Sequence, residues 1–212
     1  MSWIDATGLS GGVGWFATYM TILYVSWRDR TYAMPMLAMV TNLSWEFLFT
    51  FIYPDVGGRL QEGINVVWFG LDLVILTMFL RFWRSDFPEV LKPHLWLVLL
   101  GSTAFSVALQ VGIIQQFGKL YGSAYTAYGA NLMMSALFLV MLLRRGDTRG
   151  QSVWIAIFKM LGTLGTSISQ YLYDPKTVAL NVTYVEIFLL DALYVWLLMR
   201  APRWQRPTSV KP

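Results

Sequence analysis

Four acids stand inside apolar runs long enough to cross a bilayer: Glu46 in TNLSWEFLFTFIYP (41–54), Asp72 in FGLDLVILTMFL (69–80), and Glu186 and Asp191 in VEIFLLDALYVW (185–196). A charged group at mid-bilayer costs roughly 3 kcal/mol or more, so four carboxyls on lipid-facing surfaces would oppose insertion. They are therefore expected to face the interior of a bundle. A carboxyl in such a dry setting is a candidate general acid, and two close together would titrate as a unit. Glu46 and Asp191 carry the neighbours best suited to chemistry and stand as the candidate catalytic pair. Asp72 and Glu186 read equally well as neutral, hydrogen-bonded structural acids.

Spacing groups further side chains around them. Asn42 and Glu46 are i and i+4 and share a helical stripe that Phe49 and Tyr53 continue. Tyr184, Asp191 and Tyr194 share a second stripe, whereas Glu186 lies about 140° around the helix from Asp191. Counting about 1.5 Å per residue from the basic helix ends puts Asn42, Asp72 and Asp191 roughly 12 to 14 Å deep, and Glu46, Glu186, Gln110 and Asn131 roughly 18 to 22 Å deep. Polar groups from five helices thus meet in one slab. A cation formed there would need π faces to hold it and no water to quench it. Trp45, Phe49, Tyr53, Trp68, Phe69, Tyr184 and Tyr194 flank the acids.

The candidate substrate-contacting set is Asn42, Trp45, Phe49, Tyr53, Trp68, Asp72, Gln110, Asn131, Tyr184 and Tyr194. Intramembrane amides also serve as glue between helices. Trp45 points about 100° away from Glu46 and reads as packing equally well. Lys159, seven residues into its helix, is expected to snorkel to the cytoplasmic surface. His94 reads as a solvated loop residue. With no cysteine, no histidine pair and no acidic cluster at ligand spacing, neither a metal site nor a cofactor is expected.

The elements that must position these groups follow from composition. Hydrophobic residues are 56% and charged residues 13% of the 212, with mean hydropathy +0.51, more apolar surface than a soluble domain could hide. Alternating strands are missing, so an all-α integral-membrane fold is expected: a single domain over 1–212 with seven transmembrane helices at about 11–27, 33–53, 64–80, 95–117, 122–143, 152–173 and 177–199. No basic region precedes the first, which is read as a retained helix. Arg28, Arg30, Arg81, Arg84, Lys92, Arg144, Arg145, Arg149, Arg200, Arg203, Arg206 and Lys211 fall on one side, against Arg59, Lys119 and Lys176 on the other. The positive-inside rule then sets the N-terminus outside and the C-terminus in the cytoplasm. Basic residues confined to short loops argue against nucleic acid as a partner. FGLDLVILTMFLR (69–81) and FLLDALYVWLLMR (188–200) are alike enough to suggest a 3+1+3 plan of parallel repeats.

NLSWEFLFTFIYP on the second helix, the seven-helix plan and LLDALY on the last together resemble the small integral-membrane terpene cyclases of meroterpenoid and indole-diterpene biosynthesis, of pyripyropene and paxilline cyclase type. The short length is similar to the bacterial, drimentine-type branch. The resemblance implies a metal-independent, class II-like cyclase without cofactor. In it Glu46 and Asp191 protonate the terminal alkene or epoxide of a prenyl chain, and a deprotonation ends the cyclisation. It implies as partners membrane lipid and a prenylated small molecule, a farnesylated indole or cyclic dipeptide, and a multi-pass place in a bacterial cell membrane. The rival reading is a small transporter with midplane carboxylates and parallel three-helix repeats. Superposing the FIYPD and YLYDP ends sets Glu46 against Thr166, which weakens a symmetric gate. A retinal protein is disfavoured because the last helix has no lysine.

Overall fold

A computed structural model of the chain describes residues 3–54 and 58–205, the side chains of residues 58–60 excepted. The described residues fold as helices joined by short turns. α1 spans Trp3–Asp29; α2 spans Met36–Phe47 and runs on into a π-helical turn, Leu48–Ile52; α3 spans Gly58–Phe82. Two 3₁₀ turns, Trp83–Ser85 and Glu89–His94, lead to α4 (Leu95–Arg145), and α5 (Val153–Tyr173) and α6 (Val178–Arg200) complete the bundle.

α4 is broken by a kink. Gly118 sits at φ 77°, ψ 166°, a conformation that residues with a Cβ rarely adopt. Beyond it the chain folds back. A Cβ on Gly122 would lie 2.6 Å from Ile114 Cα, and the rings of Phe117 and Tyr125 sit 5.0 Å apart. The limbs 95–117 and 119–145 thus form a helical hairpin where the sequence suggests two helices with a gap at 118–121. Among the described residues, three stretches are long and apolar enough to cross a membrane, Gln61–Ser85, Glu89–Arg145 and Val178–Arg200. The all-helical, membrane-type fold is as expected.

α1 begins at Trp3, eight residues before the expected start. GLSGGVG is a poor helix former by propensity, but its small residues allow close approach to another helix. That contact is made with α5. A Cβ on Gly11 would meet the Thr166 backbone nitrogen at 2.7 Å, one on Gly14 would meet Gly162 Cα at 2.6 Å, and one on Gly165 would meet Gly11 N at 2.7 Å.

At one end of the bundle the turns are tied by charge. Asp86 accepts hydrogen bonds from Thr31, from Ser85 Oγ (3.1 Å), and from Arg145 Nη2 and Arg149 Nη1 (3.3 Å each). Asp29 accepts from the Gly150 backbone N–H at 2.8 Å and from Arg28 Nε at 2.6 Å. Burial alone pushes the Asp86 carboxyl up, but the Thr31 hydrogen bond and the two guanidiniums outweigh it, leaving Asp86 below its ordinary value. Arg206, Lys211 and the side chain of Arg59, counted for orientation above, lie outside the described residues.

Glu186 departs from the inward orientation expected of all four acids. It is exposed on α6, while Tyr184, Ile187 and Asp191 are buried. The 140° offset from Asp191 turns it away from the bundle.

Candidate active site

Asn42 organises the first of two buried polar clusters. Its Nδ2 donates both to Tyr19 Oη and to Asp72 Oδ2, each at 2.7 Å, tying α1, α2 and α3 together. One turn along α2, Glu46 is 3% exposed, close enough to Asp72 for the two carboxyls to interact electrostatically. Asp72 is wholly buried. Glu46 Oε2 and Asp72 Oδ1 have no hydrogen-bond partner, and among the described residues no lysine or arginine pairs with either acid. Buried acceptors left open in this way are uncommon in folded proteins and mark the pair out.

Aromatic residues stand on both sides of Glu46, from Trp45 on α2 to Phe49 and Tyr53 in and after the π-helical turn. The rings of Trp45 and Phe49 lie 4.6 Å apart and those of Phe49 and Tyr53 6.0 Å apart. The indole of Trp45 donates to Thr126 Oγ1 at 3.0 Å and anchors α2 to the second limb of α4, so Trp45 has a packing role. Phe49 falls in the π-helical turn, whose extra residue per turn re-aims the side chains beyond Glu46. Asn65 of α3, fully buried, reaches the Phe49 carbonyl at 3.4 Å and accepts from Gln61 Nε2 at 2.7 Å. Gln110 Nε2 spans α4 to α2 by donating to the Thr41 carbonyl at 3.0 Å, and its Oε1 is unpartnered. Trp68 is half-buried against the main core. Phe69 faces away from the acids, packing on the outward Phe47 and Phe51 with the latter ring at 5.1 Å.

The second cluster corrects two expectations. Lys159 does not snorkel: it is 0% exposed, and its Nζ donates to Asp191 Oδ1 (2.8 Å), Asp191 Oδ2 (2.9 Å) and Ser135 Oγ (2.6 Å). The physical reason is that the ammonium finds a carboxylate and a hydroxyl within hydrogen-bond reach inside the bundle. Asp191, for its part, is paired with Lys159 and not with Glu46. The Nζ also sits 5.9 Å from the ring centroid of Trp15, whose ring is 6.1 Å from that of Tyr19. α1 therefore stands between the two clusters and contributes an aromatic side chain to each.

Other expected members are dispersed. Asn131 donates to Thr163 Oγ1 at 2.8 Å, joining α4 to α5. Tyr184 packs its ring 4.5 Å from that of Tyr128. Tyr194 is a core residue toward the charged end, donating to Gln151 Oε1 at 3.0 Å with its ring 5.5 Å from Phe138. Sequence reasoning passed over Tyr19, Asn65, Ser135 and Thr163. A hydroxyl or amide at helical spacing from an acid is weak evidence until the partner helix is known.

Comparison with known proteins adds the class of chemistry. A sequence profile of Pyr4-like transmembrane terpene cyclases matches residues 1–201. The chain is 32% identical over 224 residues to the terpene cyclase dpfgB of Gibberella zeae, covering 99% of this chain and 91% of the relative. It is 28% identical over 221 residues to the terpene cyclase dpmpB of Macrophomina phaseolina, covering 99% and 90%. Over 156 residues, 72% of this chain and 63% of the relative, it is 29% identical to the asnovolin H synthase nvfL of Aspergillus novofumigatus. These relatives are fungal, and they do not support the bacterial branch and bacterial membrane that the short length suggested. No solved structure matches. Cyclases along the full length do not favour the transporter reading either. With its profile matched from residue 1 to residue 201, this chain belongs to the Pyr4-like transmembrane terpene cyclases.

Proposed function

We propose that the chain cyclises a prenylated small molecule by protonation, with Glu46 as the acid. The observation that carries this reading is the pair of buried carboxyls, Glu46 and Asp72, each with an oxygen left open and neither held by a cation. Glu46 adds its proton to the less substituted carbon of the terminal prenyl double bond, or to the oxygen of an epoxide there whose C–O bond then breaks, and a tertiary cation forms. The next double bond supplies its electron pair to that cation, a ring closes, and the charge moves along the chain. Loss of a proton from carbon to a carboxylate ends the sequence, so the product is an isomer of the substrate. Asp72, tied through Asn42 to Tyr19, is the neighbour with which Glu46 shares the returned proton. Trp45, Phe49 and Tyr53 offer the π faces.

Asp191 enters in a different role from the one the resemblance implies. Both its oxygens accept from Lys159, so it acts as half of a fixed ion pair and not as the donor. A farnesylated indole or cyclic dipeptide is the proposed substrate. The proposed topology has seven crossings, the two limbs of α4 supplying two of them, with the Trp3 end outside and the Arg200 end cytoplasmic.

The test is incubation of purified protein in detergent with a farnesylated indole or cyclic dipeptide in deuterated water. A cyclised isomer carrying one solvent deuteron is expected, and Glu46→Gln should reduce its formation at least a hundredfold while leaving the protein folded. Normal turnover in that variant, or a single-turnover product without deuterium, would refute the mechanism.

A further inference from the structure

At the end of the bundle tied by charge, a cavity of about 570 Å3 opens between the last turn of α1, the turn before α5 and the chain leaving α6. Its size is within the range of about 300 to 1,000 Å3 common to small-molecule sites. The segment after α6 is fastened across this end by two hydrogen bonds. Thr148 N–H donates to the Pro202 carbonyl at 3.2 Å, and Trp204 N–H donates to Thr148 Oγ1 at 3.0 Å. Between these anchors Arg203 lines the cavity, exposed and paired with no carboxylate among the described residues.

α1 supplies a second guanidinium to the lining, that of Arg28, whose side chain is 47% exposed. Its Nε and Nη2 donate to Asp29 at 2.6 and 2.9 Å, which holds the group in place and leaves Nη1 outside that pair. Asp29 is the one carboxylate in the lining among the described residues, but it is 1% exposed and its oxygens are taken by Arg28 and the Gly150 N–H. Gln151 is equally buried, its amide committed to Tyr194 and to the Asp147 carbonyl. Thr148 and Ser152 are half-buried, and each hydroxyl oxygen already accepts from a backbone N–H, so what each can offer is its own O–H. The polar side chains that an incoming group can reach are thus all donors, two of them cationic. Such a lining selects an oxyanion, and guanidiniums fit the oxygens of a phosphate in forked pairs.

The apolar part of the lining says what the phosphate is attached to. Leu198, Met199 and Trp204 offer hydrocarbon and indole surface, and Met199, 63% exposed, continues it onto the outer face of α6. Exposed arginines stacked on tryptophans mark the same level: Arg200 lies 4.0 Å from the Trp196 ring and Arg30 4.5 Å from that of Trp27. Such pairs belong where a bundle passes from hydrocarbon to headgroups. A free phosphate would use the guanidiniums and leave the apolar wall bare, whereas a phospholipid uses both. Basic pockets between transmembrane helices on the cytoplasmic side take anionic headgroups in this way, and the proposed topology makes this the cytoplasmic end.

We propose that this cavity holds the phosphate headgroup of one anionic phospholipid, with Arg28 and Arg203 on its oxygens, Thr148 and Ser152 donating beside them, and an acyl chain leaving over Leu198 and Met199. None of these residues belongs to either acid cluster, so the lipid site and the cyclase reading stand or fall separately.

The test titrates the full chain, stripped of lipid in detergent, with dioleoyl phosphatidic acid and counts bound lipid by native mass spectrometry. One phosphatidic acid per chain is expected to bind at least tenfold more tightly than dioleoyl phosphatidylcholine, whose choline cancels the charge. Arg203→Gln, at an exposed position, should weaken this binding about tenfold, and Arg203→Lys, which keeps the charge and loses the fork, should weaken it less. Arg84→Gln removes a charge at the same end but outside the cavity and should leave binding unchanged, as should Glu46→Gln. Inorganic phosphate should displace no more lipid than chloride at matched ionic strength. Equal affinity for the two lipids would overturn the proposal, and so would equal losses in Arg84→Gln and Arg203→Gln, which would reduce the effect to general surface charge. Displacement by inorganic phosphate beyond that by chloride would also overturn it, reassigning the cavity to a soluble phosphate.

Discussion

Lys159 and Asp191 neutralise each other at a depth where neither reaches water. Removing one partner of a buried pair leaves an uncompensated charge, a loss of about 3 to 5 kcal/mol, whereas replacing both by apolar residues of similar volume is often neutral. Lys159→Met alone and Asp191→Leu alone should therefore each lower the thermal unfolding midpoint in detergent markedly, and the double variant should recover most of the loss. Additive losses in the double variant would mean that the pair is not what holds these helices. The i, i+4 spacing of Asn42 and Glu46 made their shared stripe legible in the sequence. The inward turn of Lys159 was not: a lysine seven residues into a helix can extend either to the surface or to the interior. Its partners Ser135 and Asp191 are 24 and 32 residues away, beyond anything local spacing reports.

Helix contacts at the element scale depend on the absence of side chains as much as on their presence. Gly14 lies against Gly162, where an added Cβ would come within 2.6 Å of the Cα, whereas Gly12 has nothing within 4 Å. Gly14→Ala should separate α1 from α5 and cost about 1 to 3 kcal/mol. Gly12→Ala should be neutral or stabilise by up to about 1 kcal/mol through helix propensity. Equal midpoints for the two variants in thermal melts would contradict the close crossing. This pairing also explains why the sequence conceals the start of α1. A glycine-rich segment reads as a helix breaker until the facing glycines of α5 are taken into account, while the gap before the second limb of α4 was readable from FGKLYG.

The charged turns are the second case at this scale, and they carry a pH dependence. Asp86 is held below its ordinary value of 3.8, so its folded form binds a proton less readily than the unfolded chain. Its contribution is therefore present in full above about pH 5 and is lost as the pH falls through 3.8 and below. Between pH 5 and pH 3 the melting midpoint of the parent should fall more steeply than that of Asp86→Asn, which lacks the titrating group. Parallel midpoints across that range would show that the arginine contacts of Asp86 do not stabilise the fold.

Across the whole molecule, hydropathy reported fold class well because lipid demands helices, but it grades individual crossings unevenly. At about 1.5 Å per residue, 21 to 27 residues reach the roughly 30 Å of a hydrocarbon core. α1, α3, α5, α6 and both limbs of α4 meet that length, yet α2 with its π turn, Met36–Ile52, covers only about 25 Å and is the shortest apolar helix. Local thinning of the bilayer can meet such a shortfall at modest cost. The proposed seven-crossing topology thus depends most on α2, which is short, on α1 and α5, which are long enough but less apolar, and on the hairpin at Gly118. The chain contains no cysteine, so single cysteines can be placed without background. Gln116 and Lys176 are exposed near one end of the bundle, and His94 and Arg203 near the other. In intact cells an impermeant maleimide should label Gln116→Cys and Lys176→Cys at once, and His94→Cys and Arg203→Cys only after permeabilisation. The reverse pattern would invert the orientation, and labelling of His94→Cys and Gln116→Cys from the same side would remove the first limb of α4 as a crossing.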